Sequence, residues 1–297
     1  MILPPFKDRE AMRSYERDGF VVFRRLAEPE VPRLLAVYES MLAEVPPSDL
    51  YFSNPMTGTT YLGSLDLRRR ITARIGKIIE PYVLSTFERC RFMGAGLRVK
   101  LPGPESTLCL HQDPSMVNEE IHWSLNVIVP LVDTTADNGA LRFLPGSHTY
   151  MPKFRSLDLR DRVEDIEDEV RDQVETLPLQ AGDAVFYVNS VLHGSGPNAS
   201  AEPRPLLLGT LMSPEASMTL FLRDAERPTR LECFAVPDHY FVELENFDRD
   251  FKLRPNHTQL ADLQVAAPPS REELVLASRE HLASRLAQDP PPRRFGG

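Results

Sequence analysis

Three residues of this chain offer the side chains that a metal ion requires: His111, Asp113 and His193. Two imidazoles and a carboxylate can hold three corners of a coordination sphere. With the remaining positions open, such a set suits non-haem Fe(II) and its oxygen chemistry. In an extended strand, residues i and i+2 point to the same face. The order His111-Gln112-Asp113 therefore aims histidine and aspartate at one point and turns Gln112 away. His193 stands 80 residues beyond Asp113, a gap that a sheet folding over on itself closes. A His-x-Asp triplet alone recurs by chance, so its surroundings carry the weight. Pro102-Gly103 precede it. Then come Asn138-Gly139-Ala140-Leu141-Arg142-Phe143-Leu144-Pro145-Gly146-Ser147-His148, the turn Ala181-Gly182-Asp183-Ala184, and His193-Gly194-Ser195 followed by Asn198, Ser200 and Arg204.

The elements that must position these residues change character along the chain. Asp8 to Arg17 predicts a helix closed at Gly19, Phe20 to Phe23 a buried strand, and Pro29 to Leu42 a second helix. Residues 45–65, with Pro46, Pro47, Pro55, Gly58 and Gly63, read as a long loop or lid. A helix from Leu67 to Glu80 is expected to stop at Pro81. From Arg91 the pattern is one of short, turn-bounded strands: 94–101, 108–113, 122–131, 140–144, 175–179, 184–187 and 205–212. The fold class this predicts is mainly β with flanking helices, around a double-sheet jelly roll, the double-stranded β-helix of cupin-like proteins. The acidic stretch 158–175 reads as a solvated face, and 214–262 as a segment packing back on the sheet. Ser270 with Glu273 forms a capping box opening a terminal helix to about Gln288, which docks on its own domain or on a partner. Residues 1–265 are thus expected to form one domain: N-terminal helices over 1–90, the jelly-roll core over 91–213 and a packing segment over 214–265. A linker, the terminal helix and a disordered tail occupy 266–297.

Composition excludes several functions. The net charge is −9, against a nucleic-acid-binding role, which needs a basic stripe. It also argues against an anionic membrane surface. No run reaches the roughly 18–20 apolar residues of a membrane span, and Met1 to Glu10 lack a signal-peptide pattern. Cys90, Cys109 and Cys233, odd in number and widely spaced, form neither a disulfide framework nor a zinc knuckle. A cytoplasmic protein acting on a small molecule is expected, with its oligomeric state open.

In their order and spacing these motifs resemble the phytanoyl-CoA dioxygenase family of Fe(II)- and 2-oxoglutarate-dependent oxygenases, over roughly residues 10–225. The resemblance implies that His111, Asp113 and His193 bind iron. It implies that Arg204, eleven residues after His193, holds the far carboxylate of 2-oxoglutarate with help from Ser195. It places Lys100, before Pro102-Gly103, in the same pocket, and Ile128 where some members carry an aromatic. Physical logic agrees. A 2-oxo acid chelates two of the three open positions and O2 takes the last. A guanidinium is a planar fork suited to the distal carboxylate. Related halogenases replace the carboxylate ligand by a small residue, so the presence of Asp113 points to hydroxylation or a related oxidation.

Other residues carry weaker signals. Asn126 shares a strand face with Ser124 and Ile128 and reads as a 2-oxoglutarate contact or a core hydrogen bond. His148 reads as structural, His122 as a rim residue and Trp123 as packing on another layer. Arg68-Arg69-Arg70 read as a solvated helix face before an anion contact. Tyr51, Phe52 and Tyr61 are candidates for the site's mouth. The reading that follows is an Fe(II)/2-oxoglutarate oxygenase tailoring a natural product or amino-acid derivative. The alternatives are the same chemistry on an acyl-CoA or free amino acid, a non-oxidative cupin-like metal enzyme, and a metal-free binding protein. The non-oxidative enzyme does not need Arg204 or Ser195 at their spacing, and the intact His111, Asp113 and His193 count against a metal-free protein.

Overall fold

The chain enters the fold through a capped helix. In α1 (Arg9–Asp18) the Asp8 carboxylate accepts from the Glu10 and Ala11 amides, satisfying donors that a helix start leaves open. Gly19 closes the helix at φ 84°, a conformation that a side chain disfavours. The computed structural model describes residues 2–45, 56–59, 62–157, 166–224, 226–227, 229–243, 258–265 and 269–288.

Strand β1 (Phe20–Phe23) is followed by a 3-10 turn (Glu28–Glu30), α2 (Val31–Glu44), β2 (Met56–Gly58) and α3 (Leu65–Ser85). Two expectations change here. The long loop of 45–65 contains β2, whose register runs Met56↔Lys100 to Gly58↔Arg98; residues 46–55 of that loop lie outside the described residues. The helix expected to stop at Pro81 runs through it to Ser85. Proline removes one amide from the helix ladder. Pro81 and Lys77, whose carbonyl loses that donor, are both exposed, so water can serve the carbonyl instead. Ile71, Ile75, Ile78, Ile79 and Val83 meanwhile bury the other face.

Eight strands then make the jelly roll: β3 (Arg91–Lys100), β4 (Leu108–His111), β5 (Ser124–Pro130), β6 (Leu141–Phe143), β7 (Glu175–Leu177), β8 (Ala184–Val188), β9 (His193–Ser195) and β10 (Arg204–Met212). All their pairings are antiparallel. One sheet runs β1-β8-β5-β10-β3-β2 and the other β4-β9-β6-β7. The chain crosses repeatedly between the two sheets, and the site lies where they face each other. The outer face of the larger sheet is covered by the helices. Leu125, Val127, Leu207 and Leu211 pack there with Ile71, Ile75 and an aromatic group of Phe6, Phe87 and Phe186. Trp123, expected to pack on another layer, stacks on Phe87 with centroids 5.9 Å apart.

The segment expected to pack back on the sheet carries strands of its own, and its residues 244–257 lie outside the described residues. Strands β11 (Thr219–Arg223), β12 (Arg230–Ala235) and β13 (Thr258–Gln264) form a third antiparallel sheet, with a short α4 (Tyr240–Glu243). Met218, Leu220 and Phe234 share an apolar cluster with Val117 and Met212 of the core. In the acidic stretch, 158–165 lie outside the described residues. The remainder is not simply a solvated face. Ile166 and Val170 are buried, and Glu167 pairs with Arg142 at 2.6 Å. The terminal helix α5 (Arg271–Gln288) carries the expected capping box: the Ser270 amide donates to Glu273, and the Glu273 amide to Ser270 Oγ. It docks on its own chain. Leu274 is buried against Leu110, Leu144 and Leu192, and Arg285 pairs with Asp18 and Glu175. The expected tail from Pro290 lies outside the described residues. No helix among them is long and apolar enough to cross a membrane.

Candidate active site

Strands β4 and β9 pair so that His111 stands directly opposite His193, with ring centroids 4.4 Å apart. The strand expected to reach Asp113 ends at His111. Asp113 is instead held by its own backbone, whose amide donates to the Asn189 carbonyl at 2.9 Å. Gln112 turns away as expected and donates to Ser190 O at 2.6 Å.

His111 Nε2 lies 3.8 Å from Asp113 Oδ1, and His193 Nε2 lies 3.6 Å from Oδ2. One potential ligand atom from each of the three falls within 4.8 Å of the others. Each ring's other nitrogen faces a backbone carbonyl: Cys109 O at 2.9 Å for His111 Nδ1, and Val191 O at 3.0 Å for His193 Nδ1. A carbonyl only accepts, so both Nδ1 atoms carry the proton, and both Nε2 lone pairs are left for a metal.

The carboxylate is fixed by a row of polar residues across three adjacent strands. Tyr187 and Thr210 are the register partners of Asn126 on β8 and β10. Thr210 Oγ1 donates to Asn126 Oδ1 at 2.8 Å. Asn126 Nδ2 donates to Asp113 Oδ2 at 2.7 Å, and the Tyr187 hydroxyl donates to the same oxygen at 2.8 Å. Burial alone would raise the pKa of Asp113. The His193 and His111 imidazoles and these two hydrogen bonds outweigh it and hold the group below the ordinary carboxylate range. Burial and the adjacent Asp113 push Tyr187 well above the ordinary phenol value, so it remains a donor.

These groups line a cavity of ≈ 310 Å³. Along β10 every second residue, Arg204, Leu206, Leu208 and Thr210, faces into it, which spreads the lining over about 20 Å at the strand rise. Met93, Met116, Leu157 and Met218 supply an apolar wall, and Ile128 and Ser195 also line it. Arg204 is 2% exposed, and its Nε and Nη1 meet no acceptor among the described residues. Burial pulls its ionisation down to about 10. An arginine buried in a cavity wall with two unsatisfied donors fits an anionic ligand.

The structure separates the remaining candidates. Asn126, read as a cosubstrate contact or a core bond, spends both ends of its amide on Asp113 and Thr210. Lys100, expected in the 2-oxoglutarate pocket, is the register partner of Arg204 but is absent from the cavity lining. Its ammonium lies on the carbonyls of Ser106 and Gly196, the second at 2.8 Å. The physical reason is local: the turns on either side of β4 and β9 leave carbonyls that a buried cation can satisfy. Burial, then the charges of Arg204 and Arg142, bring Lys100 down to about 7. Of the three consecutive arginines, Arg68 is not on a solvated face. It is 2% exposed and lines the cavity, whereas Arg70 turns outward to Asp66 and Glu44. His148 is buried and meets the Glu16 carbonyl at 3.1 Å, away from this cavity. Tyr51, Phe52 and Tyr61 lie outside the described residues.

Sequence reasoning missed Tyr187 and Thr210. The one signal for Tyr187 is a phenol in the otherwise apolar strand Ala184–Val188. Thr210 carries none without the sheet register.

A family model described as phytanoyl-CoA dioxygenase (PhyH) matches residues 15–206, more than half of the chain. Among curated relatives, dioxygenase af480 of Aspergillus fumigatus is 25% identical over 209 residues, covering 69% of this chain and 57% of that protein. The chain thus spans little more than half of that relative's length. Ectoine dioxygenase of Bordetella parapertussis is 24% identical over 230 residues, covering 66% of this chain and 72% of that protein. The non-haem alpha-ketoglutarate-dependent carbocyclase SnoK from nogalamycin biosynthesis is similar in structure, with a TM-score of 0.50 and 22% identity over 82% of this chain and 95% of that one. HygX from Streptomyces hygroscopicus, with nickel and 2-oxoglutarate bound, has a TM-score of 0.50 and 18% identity, over 70% and 88%. At these identities the two structures establish the shared fold.

Proposed function

The chain belongs to the phytanoyl-CoA dioxygenase family, and from that premise we propose that it is an Fe(II)- and 2-oxoglutarate-dependent dioxygenase oxidising a small organic molecule. The observation that carries this reading is the pairing, in one cavity, of the His111–Asp113–His193 cluster with the unsatisfied guanidinium of Arg204. A metal site alone would fit a non-oxidative enzyme. The added buried cation calls for an anionic cosubstrate beside the metal.

In this reading His111 Nε2, His193 Nε2 and the Asp113 carboxylate hold Fe(II), and Arg204 pairs with the C5 carboxylate of 2-oxoglutarate, with Ser195 beside it. When bound, iron and 2-oxoglutarate supply O2-dependent oxidation, with succinate and CO2 as co-products. The protein's own part is positioning and exclusion of water. Tyr187 and Asn126 fix the orientation of Asp113, and the Cys109 and Val191 carbonyls fix the two imidazoles. The four apolar residues Met93, Met116, Leu157 and Met218 supply a dry wall for a substrate with an apolar body. The retained Asp113 supports hydroxylation or a related oxidation over halogenation. SnoK, similar in fold, comes from nogalamycin biosynthesis, which supports a substrate from natural-product metabolism.

The test is anaerobic addition of Fe(II) and then 2-oxoglutarate to the full chain. A weak visible metal-to-ligand charge-transfer band is expected, lost in His193→Ala. Folded protein that binds Fe(II) yet gives no band with 2-oxoglutarate sinks the proposal.

A further inference from the structure

Arg155 is a buried cation far in sequence from every candidate ligand, and none of the chemistry above uses it. Its side chain is 3% exposed, and that of Glu119, its partner, 11%. The two meet fork to fork, Nη1 to Oε2 at 2.9 Å and Nη2 to Oε1 at 2.6 Å. The remaining edge of the guanidinium is spent on backbone. Nε donates to the Asp113 carbonyl at 2.8 Å, and Nη1 also reaches the carbonyls of Pro152 and Lys153. The backbones are tied as well. Ser115 N donates to Arg155 O at 3.1 Å, and Arg155 N donates to Ser115 Oγ at 3.1 Å.

Burying an ion pair costs several kcal/mol per ion before any attraction is counted, so such a pair is weak evidence for stability. The geometry gives it another use. Asp113 lies beyond the end of β4, without a strand ladder to fix its torsions. Its amide is held by Asn189 and its carbonyl by Arg155, so the peptide groups on both sides of its Cα are pinned. Glu119 sits on the loop that carries Met116, and Leu157 follows Arg155 by two residues; Met116 and Leu157 both line the cavity.

We propose that Arg155 and Glu119 are positioning residues: a buried clamp that aims the Asp113 carboxylate at the metal and locks two cavity-wall segments to it. The proposal rests on Asp113 being an iron ligand.

The test uses the full chain with Co(II) as a spectroscopic stand-in for Fe(II), in wild type, Glu119→Gln, Arg155→Lys, the apolar double variant Glu119→Leu/Arg155→Met, and His193→Ala. Loss of a group that orients a ligand typically weakens metal affinity about ten- to a hundredfold. That loss, with an altered Co(II) visible spectrum, is expected in the clamp variants. The double variant leaves no buried charge at the clamp, so it is expected to keep a wild-type unfolding midpoint while losing Co(II) affinity. A merely structural ion pair would not separate the two readouts. Wild-type Co(II) affinity and spectrum in the folded double variant overturn the clamp. If His193→Ala binds Co(II) as wild type does, the iron site itself is wrong and the clamp falls with it.

Discussion

Replacing Arg204 by methionine tests the cosubstrate assignment through stability, without any knowledge of the substrate. The side chain is 2% exposed, with Nε and Nη1 buried and unsatisfied. Each such group costs about 1–3 kcal/mol. Methionine fills much of the same volume without polar atoms and gives back about 1–2 kcal/mol of lost packing. The net expectation is a gain of about 2 kcal/mol in Fe(II)-loaded protein without 2-oxoglutarate, worth roughly 3 °C in the unfolding midpoint of a chain this long. With 2-oxoglutarate at a hundred times its dissociation constant, the wild type gains about 2.7 kcal/mol. The variant loses a buried charge pair worth about 3–5 kcal/mol, or roughly two to nearly four powers of ten in affinity, and its midpoint barely moves at that concentration. Anaerobic scanning fluorimetry with and without 2-oxoglutarate reads both effects. A variant that melts lower than wild type alone, yet keeps the shift with 2-oxoglutarate, refutes the assignment.

Lys100 is expected to give the fold a pH dependence. Its ionisation is lowered from 10.5 to about 7 by burial and then by Arg204 and Arg142. Between those values the unfolded chain holds a proton that the folded chain has released. Stability therefore rises with pH across that window, at up to about 1.4 kcal/mol per unit, and the cost is full below pH 7. Urea midpoints at pH 7, 8 and 9 should climb in wild type and flatten in Lys100→Met; parallel curves would count against it. Tyr187→Phe deletes a charge-assisted hydrogen bond to Asp113 Oδ2, worth about 1.5–3 kcal/mol. Mn(II) affinity by calorimetry should fall about ten- to a hundredfold, and by only a few-fold in Thr210→Val, which acts through Asn126. Equal losses would contradict the row of bonds. Leu274→Ala should cost about 2–5 kcal/mol because Leu274 is buried against Leu110 and Leu192; an unchanged denaturation midpoint would mean that the terminal helix is not docked in solution.

Most of what the sequence disclosed is local. The helix near Asp8 to Arg17, its Gly19 stop, the Ser270–Glu273 box and the strand from Phe20 to Phe23 each follow from residues a few positions apart. The iron-ligand candidates were legible because residue type and spacing narrow the chemistry even before a fold exists. What stayed hidden depends on register between distant strands. Asn126 looked equally like a cosubstrate contact and a core residue, and only its pairing with Tyr187 and Thr210 shows where its amide is spent. Lys100 is a related case. Its place opposite Arg204 follows from strand order, but which way the ammonium turns is decided by the carbonyls of Ser106 and Gly196, on two other segments.

The same distinction explains how the site is built. Both histidines sit on paired strands, where the ladder fixes them, so their remaining needs are met by backbone carbonyls two residues before each. Asp113 lies off the ladder and needs more: two side-chain donors on its carboxylate, one residue on each side of its peptide backbone, and an ion pair behind one of those. The polar groups buried around it are thus not spread over the core. They concentrate on the one ligand that the sheet does not itself hold, as expected where precise geometry must be imposed on irregular backbone. Loop residues such as Glu119 and Arg155, which no strand or helix pattern marks, thereby serve the one ligand that the strands do not hold.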